Sequence, residues 1–423
     1  MHDAVRRPLG GGSASCSGHT ASAAPGAIPT VNSSMKGKAL KVVIAPQSFK
    51  GSISALDAAK AMEEGVLRVI PDAEILLAPV ADGGDGTLET LVEATGGEIR
   101  STTVAGPMGE MVAAEWGALG DGRTAVIEAA RTSGLALLSH AERDPLRATT
   151  CGLGEAIAEA LDAGFRSFIV GIGGSATNDG GAGMAQALGV RLLDEAGNDL
   201  PAGGGALADL QRIDMSGLDE RAIGARFLVA CDVTNPLTGA EGASAVYGPQ
   251  KGATPAQVEQ LDAALKNFAR IVERDIGTSI DTVPGSGAAG GLGGGMMAFL
   301  KGSLRAGIDI VLDYVGLDEK LEGADLVITG EGQLDFQTVY NKAPIGVARR
   351  AKQRNIPVIA ICGSLGGGFE DVHPEGIDAA ASILCAPMTL DEASARAGDL
   401  IADAVAEAMR FMKAGSLVSG WRS

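Results

Sequence analysis

Four short segments concentrate the residue types that can do chemistry. The densest runs from Val170 to Met184, where an apolar stretch leads into Gly173-Gly174-Ser175-Ala176-Thr177-Asn178-Asp179-Gly180-Gly181. Small residues let backbone N–H groups converge on an anion at a helix start. Ser175, Thr177 and Asn178 add neutral donors, and Asp179 adds a carboxylate able to take a proton or hold a metal. A tight glycine turn capped by Asn and Asp would look similar, but the density of polar residues favours a ligand cradle. Asp82 and Asp85 frame Gly83-Gly84. Paired carboxylates on a glycine turn suit Mg²⁺, which keeps waters and takes one or two protein oxygens. Capping of a helix from Thr87 explains them equally well. Ser48 and Lys50 follow an apolar run, and Lys50 can meet a phosphate as a point charge. A solvated loop lysine is the commoner fate, and Lys251 and Lys342 pose the same choice.

Proton chemistry must fall mainly to acids or lysines. The chain of 423 residues has only four histidines, and His2 and His19 lie in its Gly/Ser/Ala-rich start. A histidine triad or an H-E-x-x-H metal site is therefore close to excluded. The five cysteines form no C-x-x-C pair, which disfavours a zinc cluster or disulfide framework and fits a reducing cytoplasm. A net charge of −18 and 3% aromatic residues disfavour nucleic-acid binding. No apolar run is long enough to span a bilayer.

The elements that must position these segments read as α/β. Strands are expected at Leu40–Ala45, Ile75–Val80, Ala125–Glu128, Phe168–Ile172, Phe227–Cys231, Leu326–Thr329, Val358–Cys362 and Ala380–Cys385. Helices are expected at Ser54–Val69, with Ser54 as N-cap, and at Cys151–Ala163, Pro255–Arg274, Pro344–Arg354 and Leu390–Met412. Strands separated by helix-length segments imply parallel sheets, whose ligands sit beyond the carboxyl ends of the strands. The chemical segments follow such strands directly. Residues 1–38 read as a disordered tail, dispensable up to residue 34, with Met35 a candidate start.

Two glycine runs leave a dinucleotide reading open. Gly285, Gly287 and Gly290 spell G-x-G-x-x-G, and Gly171 to Ala176 is its alanine variant. An NAD-dependent oxidoreductase acting on a small hydroxy acid is therefore one alternative, and a non-catalytic anion-binding protein another. No Walker A motif or H-R-D loop occurs.

Seven motifs in order resemble the bacterial glycerate kinase family. They stand as Ala45-Pro46-Gln47-Ser48-Phe49-Lys50-Gly51-Ser52, Ala81-Asp82-Gly83-Gly84-Asp85-Gly86-Thr87, Gly171 to Met184, Asp232-Val233-Thr234-Asn235-Pro236-Leu237, Gln250-Lys251-Gly252-Ala253, Pro284 to Gly293, and Thr329-Gly330-Glu331-Gly332 through Lys342-Ala343-Pro344-Ile345-Gly346-Val347-Ala348. The family usually has Asp at Gln47 and Gly at Asn341. The resemblance implies a flavodoxin-like (Rossmann-like) parallel-sheet domain, residues 39–80 and 285–423, with an inserted α/β domain at 81–284. It implies ATP-dependent phosphorylation of D-glycerate to 2-phosphoglycerate, or alternatively 3-phosphoglycerate. Mg²⁺ is the expected metal and the cytoplasm the expected location, with monomer and homodimer both open.

Expected substrate and phosphate contacts are Ser48, Gly173, Gly174, Ser175, Thr177, Asn178, Asn235, Lys251, Gly285, Gly287, Gly290, Glu331, Asp335 and Lys342. Asp82 and Asp85 are the expected metal ligands, and Lys50, Asp179 and Asp232 the expected catalytic groups. Asp232 heads a turn fixed by Pro236, which suits a rigid base. Asp179 sits in the cradle, where its charge would repel phosphate unless a metal lies between. Asp232 is favoured as base and Asp179 as metal or substrate ligand, the reverse assignment remaining open.

Overall fold

The computed structural model describes residues 39–84, 86–339 and 342–417. Its two main sheets are built on short apolar strands. The first contains β1 (Lys41–Pro46), β2 (Glu74–Leu77), β9 (Leu326–Gly330), β10 (Val358–Cys362) and β11 (Ala379–Ser382). Their order is β11-β10-β9-β1-β2, every pair parallel. Renumbered within the sheet this is the flavodoxin order 2-1-3-4-5, whose switch point lies between β1 and β9. The second contains β3 (Glu98–Ala105), β4 (Met111–Ala118), β5 (Thr124–Glu128), β6 (Ser167–Gly171), β7 (Arg226–Ala230) and β8 (Ser303–Arg305), in order β8-β7-β6-β5-β4-β3. Strands β5 to β8 pair parallel, while β3 and β4 close the edge antiparallel.

Side-chain alternation along the strands divides the core into layers. Val42 and Ile44 face α1 (Ala55–Leu67) and the carboxyl-terminal helix Ala397–Gly415. Val43 and Ala45 face the opposite way, into a core shared with the second sheet. That middle core takes Leu88 and Leu91 of α2 (Thr87–Thr95), Ile308 and Val311 of the helix Gly307–Tyr314, and Ile345 and Val347 of the helix Ala343–Lys352. Val126, Ile169 and Leu228 close it from the second sheet. The other side of that sheet carries Ile127, Phe168, Val170 and Phe227 against Leu153, Ile157, Leu265 and Phe268. Burying one such side chain contributes about 1.5–3 kcal/mol. These helices hold both sets of strand carboxyl ends against one cleft.

The expected Ser54 cap is present, its hydroxyl accepting from Asp57 N at 3.1 Å. The expected helix Leu390–Met412 is two helices, Leu390–Ala395 and Ala397–Gly415, separated at Arg396. The β3–β4 hairpin was not expected, because β3 is exposed or half-buried along most of its length and both strands mix polar and apolar residues rather than forming an apolar run. Pairing of β8 with β7 keeps the chain in the second sheet as far as Arg305. The expected disordered tail, residues 1–38, lies outside the described residues.

Candidate active site

The carboxyl ends of the two sheets line three cavities that share walls. The largest, about 550 Å³, opens at the switch point between β1 and β9. Ser48, Lys50, Asp82, Glu331 and Lys342 form its polar side; Phe49, Ile383, Leu384, Met388 and Leu390 form its apolar side. The second, about 390 Å³, is walled by Lys50, Asp82 and Lys342 from one sheet and by Glu128, Gly173, Gly174 and Asp232 from the other. The third, about 220 Å³, continues past Gly173, Gly174, Ser175 and Asp232 to Tyr247 and Lys251.

Within the switch-point cavity Glu331 is buried. Thr338 donates to its Oε1 at 2.8 Å, and Lys342 Nζ lies 3.9 Å from Oε2 and 3.8 Å from Asp335 Oδ1. Burial raises the Glu331 pKa to about 7, with Lys342 opposing the shift. Lys50 is exposed and lines both larger cavities, with no ion-pair partner among the described residues. Gln47, where the family usually has Asp, is 4% exposed and lines the same cavity.

At the junction, Asp232 follows β7 and accepts the Gly307 amide at 2.9 Å. Asp232 is open to the cleft, yet the surrounding walls raise its pKa, and the charges of Asp82 and Asp309 add to the rise. Asp82 caps its own turn, accepting from Gly84 N at 3.2 Å. Among the described residues no three His, Cys, Asp or Glu side chains converge on a metal position. Asp82 and Asp232 instead present two like charges to one space. A single carboxylate such as Asp82 suits Mg²⁺, which takes one or two protein oxygens and completes its shell with water and phosphate. Asp85 lies outside the described residues.

Several residues expected at the site also have partners or close packing within the chain. Asp179 is fully buried, and its oxygens accept from Thr150 N and Oγ1 at 2.9 Å, Gly181 N at 3.1 Å and Gly183 N at 3.2 Å. Met184 N donates to Thr150 Oγ1. The start of the helix Ala182–Ala187 is thus capped from within and presents no free cradle, contrary to expectation. Thr177 and Asn178 are buried, and Thr177 Oγ1 and Asn178 Oδ1 have no hydrogen-bond partner among the described residues. Asn235 supports Tyr247, whose hydroxyl donates to Oδ1 at 2.7 Å. Gly285, Gly287 and Gly290 serve close packing: a Cβ on Gly287 would meet Pro236 O at 2.0 Å, and one on Gly290 would meet Thr177 O at 2.0 Å. Their run follows no strand, so at 285–290 the dinucleotide reading loses its structural context, while Gly171 to Ala176 does follow β6.

Two groups in the cleft were not anticipated. Glu128 ends β5 at 5% exposure, held by Leu88 N at 3.1 Å and Arg131 Nε at 2.8 Å. Its position at a strand's carboxyl end was the available signal. Tyr247 had none beyond being one of three tyrosines.

A flavodoxin-ordered sheet joined to a second α/β sheet across a cleft of lysines and carboxylates defines a two-sheet α/β enzyme. Residues 42–413 match the model of the glycerate kinase family, and the chain belongs to that family. A glycerate kinase of Halalkalibacterium halodurans is 53% identical over 86% of this chain and 96% of its own. The glycerate 2-kinase of Escherichia coli K12 is 50% identical over 86% of this chain and 95% of its own. A crystal structure from Salmonella typhimurium LT2, assigned provisionally as glycerate kinase 2, superposes with a TM-score of 0.84 at 50% identity. It covers 90% of this chain and 100% of that one.

Proposed function

We propose that the chain transfers the γ-phosphoryl group of ATP to O2 of D-glycerate, giving 2-phosphoglycerate and ADP. The observation that carries this reading is the pairing of one large cavity, with Lys50, Lys342 and Asp82 on one side and an apolar wall on the other, with a small one that holds Asp232 and Lys251. The apolar wall of Ile383, Leu384, Met388 and Leu390 suits a nucleobase, while Lys50 and Lys342 suit its phosphates. The small cavity suits a three-carbon acid. The regiochemistry follows the E. coli relative named glycerate 2-kinase.

In the reaction the bond from O2 to phosphorus forms and the bond from the γ-phosphorus to the β,γ-bridging oxygen breaks. The O2 proton passes to Asp232, which lies on the walls of both the second and the third cavity. Asp82 would hold Mg²⁺, which when bound neutralises charge on the phosphates. Lys50 steadies the phosphates at the junction, and Lys342, pinned between Glu331 and Asp335, does so from the facing wall. The four described cysteines are free, which fits a cytoplasmic site of action.

Phosphorus NMR of the product from D-glycerate and ATP–Mg²⁺ tests the reading. The 2-phosphoglycerate resonance with equimolar ADP is expected. 3-Phosphoglycerate would overturn the regiochemistry, and no phosphorylated acid would overturn the reaction.

A further inference from the structure

Lys251 is the one lysine among the largest fully buried side chains, at 2% exposure. Its Nζ donates to Ser175 Oγ at 3.0 Å and to the Thr177 carbonyl at 2.6 Å, both neutral acceptors. An ammonium has three donors, so one remains without a partner among the described residues. An uncompensated buried ammonium is costly, and no carboxylate among the described residues is in contact with it. The nearest in charge is Asp179, whose oxygens are already held by Thr150, Gly181 and Gly183.

The lysine lines the smallest of the three cavities. At about 220 Å³ this space lies below the usual range for larger ligands, roughly 300–1,000 Å³. It fits a three-carbon acid and excludes a nucleotide. Asp232 lies on its wall, so an acid whose carboxylate meets Lys251 would have its hydroxyls towards the proposed base.

We propose that Lys251 receives the carboxylate of the hydroxy acid in this cavity, and that the lysine takes up a proton from solvent as the anion binds. The proposal rests on the kinase reading for the identity of the acid, but not on which hydroxyl is phosphorylated. The proton balance is simple: an amine Nζ gains one proton and becomes the ammonium that pairs with the incoming carboxylate.

The other ionisable groups around Lys251 do not supply this pairing. Asp232 and Cys231 lie on the cavity wall after β7, and Tyr247 lies on the helix Ala243–Tyr247. Arg143 packs from outside, donating to Gln250 O at 3.1 Å. Burial lowers the Lys251 pKa to about 7, with Asp179 opposing the shift. Near neutrality the free protein therefore holds a mixture of amine and ammonium, and an anion selects the ammonium. Below that pH the lysine is already charged and binding takes up no proton. Above it, binding takes up a proton and acid affinity falls by up to about tenfold per pH unit.

Calorimetric titration of D-glycerate at pH 6 and pH 8, each in two buffers of different ionisation enthalpy, measures the proton count. Uptake is expected at pH 8 and little or none at pH 6. Lys251→Arg, charged at both pH values, should bind with no uptake at either. Lys251→Met should lose about 10- to 100-fold in glycerate affinity while ATP affinity changes little. Circular dichroism melting checks that the variants fold. If Lys251→Met does not fold, the wild-type proton count and Lys251→Arg decide.

Wild-type binding without proton uptake at pH 8 overturns the proposal while leaving the kinase reading intact. Undiminished uptake in Lys251→Arg also overturns it, since the proton would then belong to another group. A 3-phosphoglycerate product together with normal uptake overturns the regiochemistry and leaves Lys251 in place.

Discussion

The amide of Gly307 donates to the Asp232 carboxylate at 2.9 Å, tying the helix Gly307–Tyr314 to the carboxyl end of β7. This joint sits where the two sheets meet, and it has no spare room. A Cβ on Gly307 would lie 2.4 Å from Asp82 O and 2.6 Å from Gly83 Cα. The contact sets both the proposed metal-binding turn and the proposed base.

Gly307→Ala should therefore damage activity beyond its effect on stability. Overpacking of this kind costs about 1–3 kcal/mol. The variant should remain folded by urea titration while kcat falls by at least tenfold, because Asp82 and Asp232 are pushed apart together. Full turnover at wild-type stability would show that the joint yields without cost.

Glu331 should make the protein less stable as pH rises. Its folded pKa of about 7 lies above the unfolded value of 4.5. Between those values the folded state binds more protons, so stability present below about pH 4.5 is lost as pH rises to about 7. Glu331→Gln keeps the Thr338 contact and removes the buried charge. At pH 8 it should gain up to about 3 kcal/mol, at 1.36 kcal/mol per pKa unit, and at pH 4.5 almost nothing. Parallel thermal melts at the two pH values check this. Equal stability changes at both would assign the gain to packing. ATP use should suffer, since Lys342 loses one of its two acidic partners.

Most of the parallel strands were legible as compact apolar runs, and Val358–Cys362 matches its expected bounds; the short β8, Ser-Leu-Arg, offered no such run. Their ligand-bearing ends followed from the same pattern, which placed Ser48, Asp82, Asp232 and Glu331 on the cleft. What sequence could not reveal was which polar groups are already satisfied. Asp179 looks available in the chain, but Thr150 comes from a distant segment to occupy it. Gly287 and Gly290 look like a nucleotide loop, but another backbone fills the space beside each. Glu128 sits among alanines in sequence and becomes a cleft residue only through Arg131 and Leu88.

Lys50 is free to meet a ligand charge, standing on the wall shared by the two larger cavities. Lys50→Ala should leave the melting temperature unchanged, since the side chain has no ion-pair partner among the described residues. It should reduce kcat/KM for ATP by about 10- to 100-fold, the range for a lost charge-assisted hydrogen bond. Unchanged kinetics would return Lys50 to a solvated loop residue.

Asp179 and Asp232 provide the sharpest contrast, because the same substitution should harm them in different ways. Asp232 is reached from the cleft and has one backbone donor, Gly307 N. Asp232→Asn should fold normally, bind ATP, and lose about 10²–10⁴-fold in kcat, the usual value of general-base help. The raised pKa of Asp232 sets the pH profile: the base works only when deprotonated, so kcat should fall as pH drops through a value above the ordinary aspartate range. That acid limb should vanish in the variant's residual activity. Asp179 is buried and accepts four donors. Asp179→Asn turns an N–H₂ group towards those donors, leaving buried groups unsatisfied at about 1–3 kcal/mol or more. Its melting temperature should fall, while the fraction still folded should turn over within about tenfold of wild type. Active-site titration separates kcat per folded molecule from total activity. A stable Asp179→Asn with no turnover, beside an active Asp232→Asn, would move the proton to Asp179 and require the Thr150 contacts to open during catalysis.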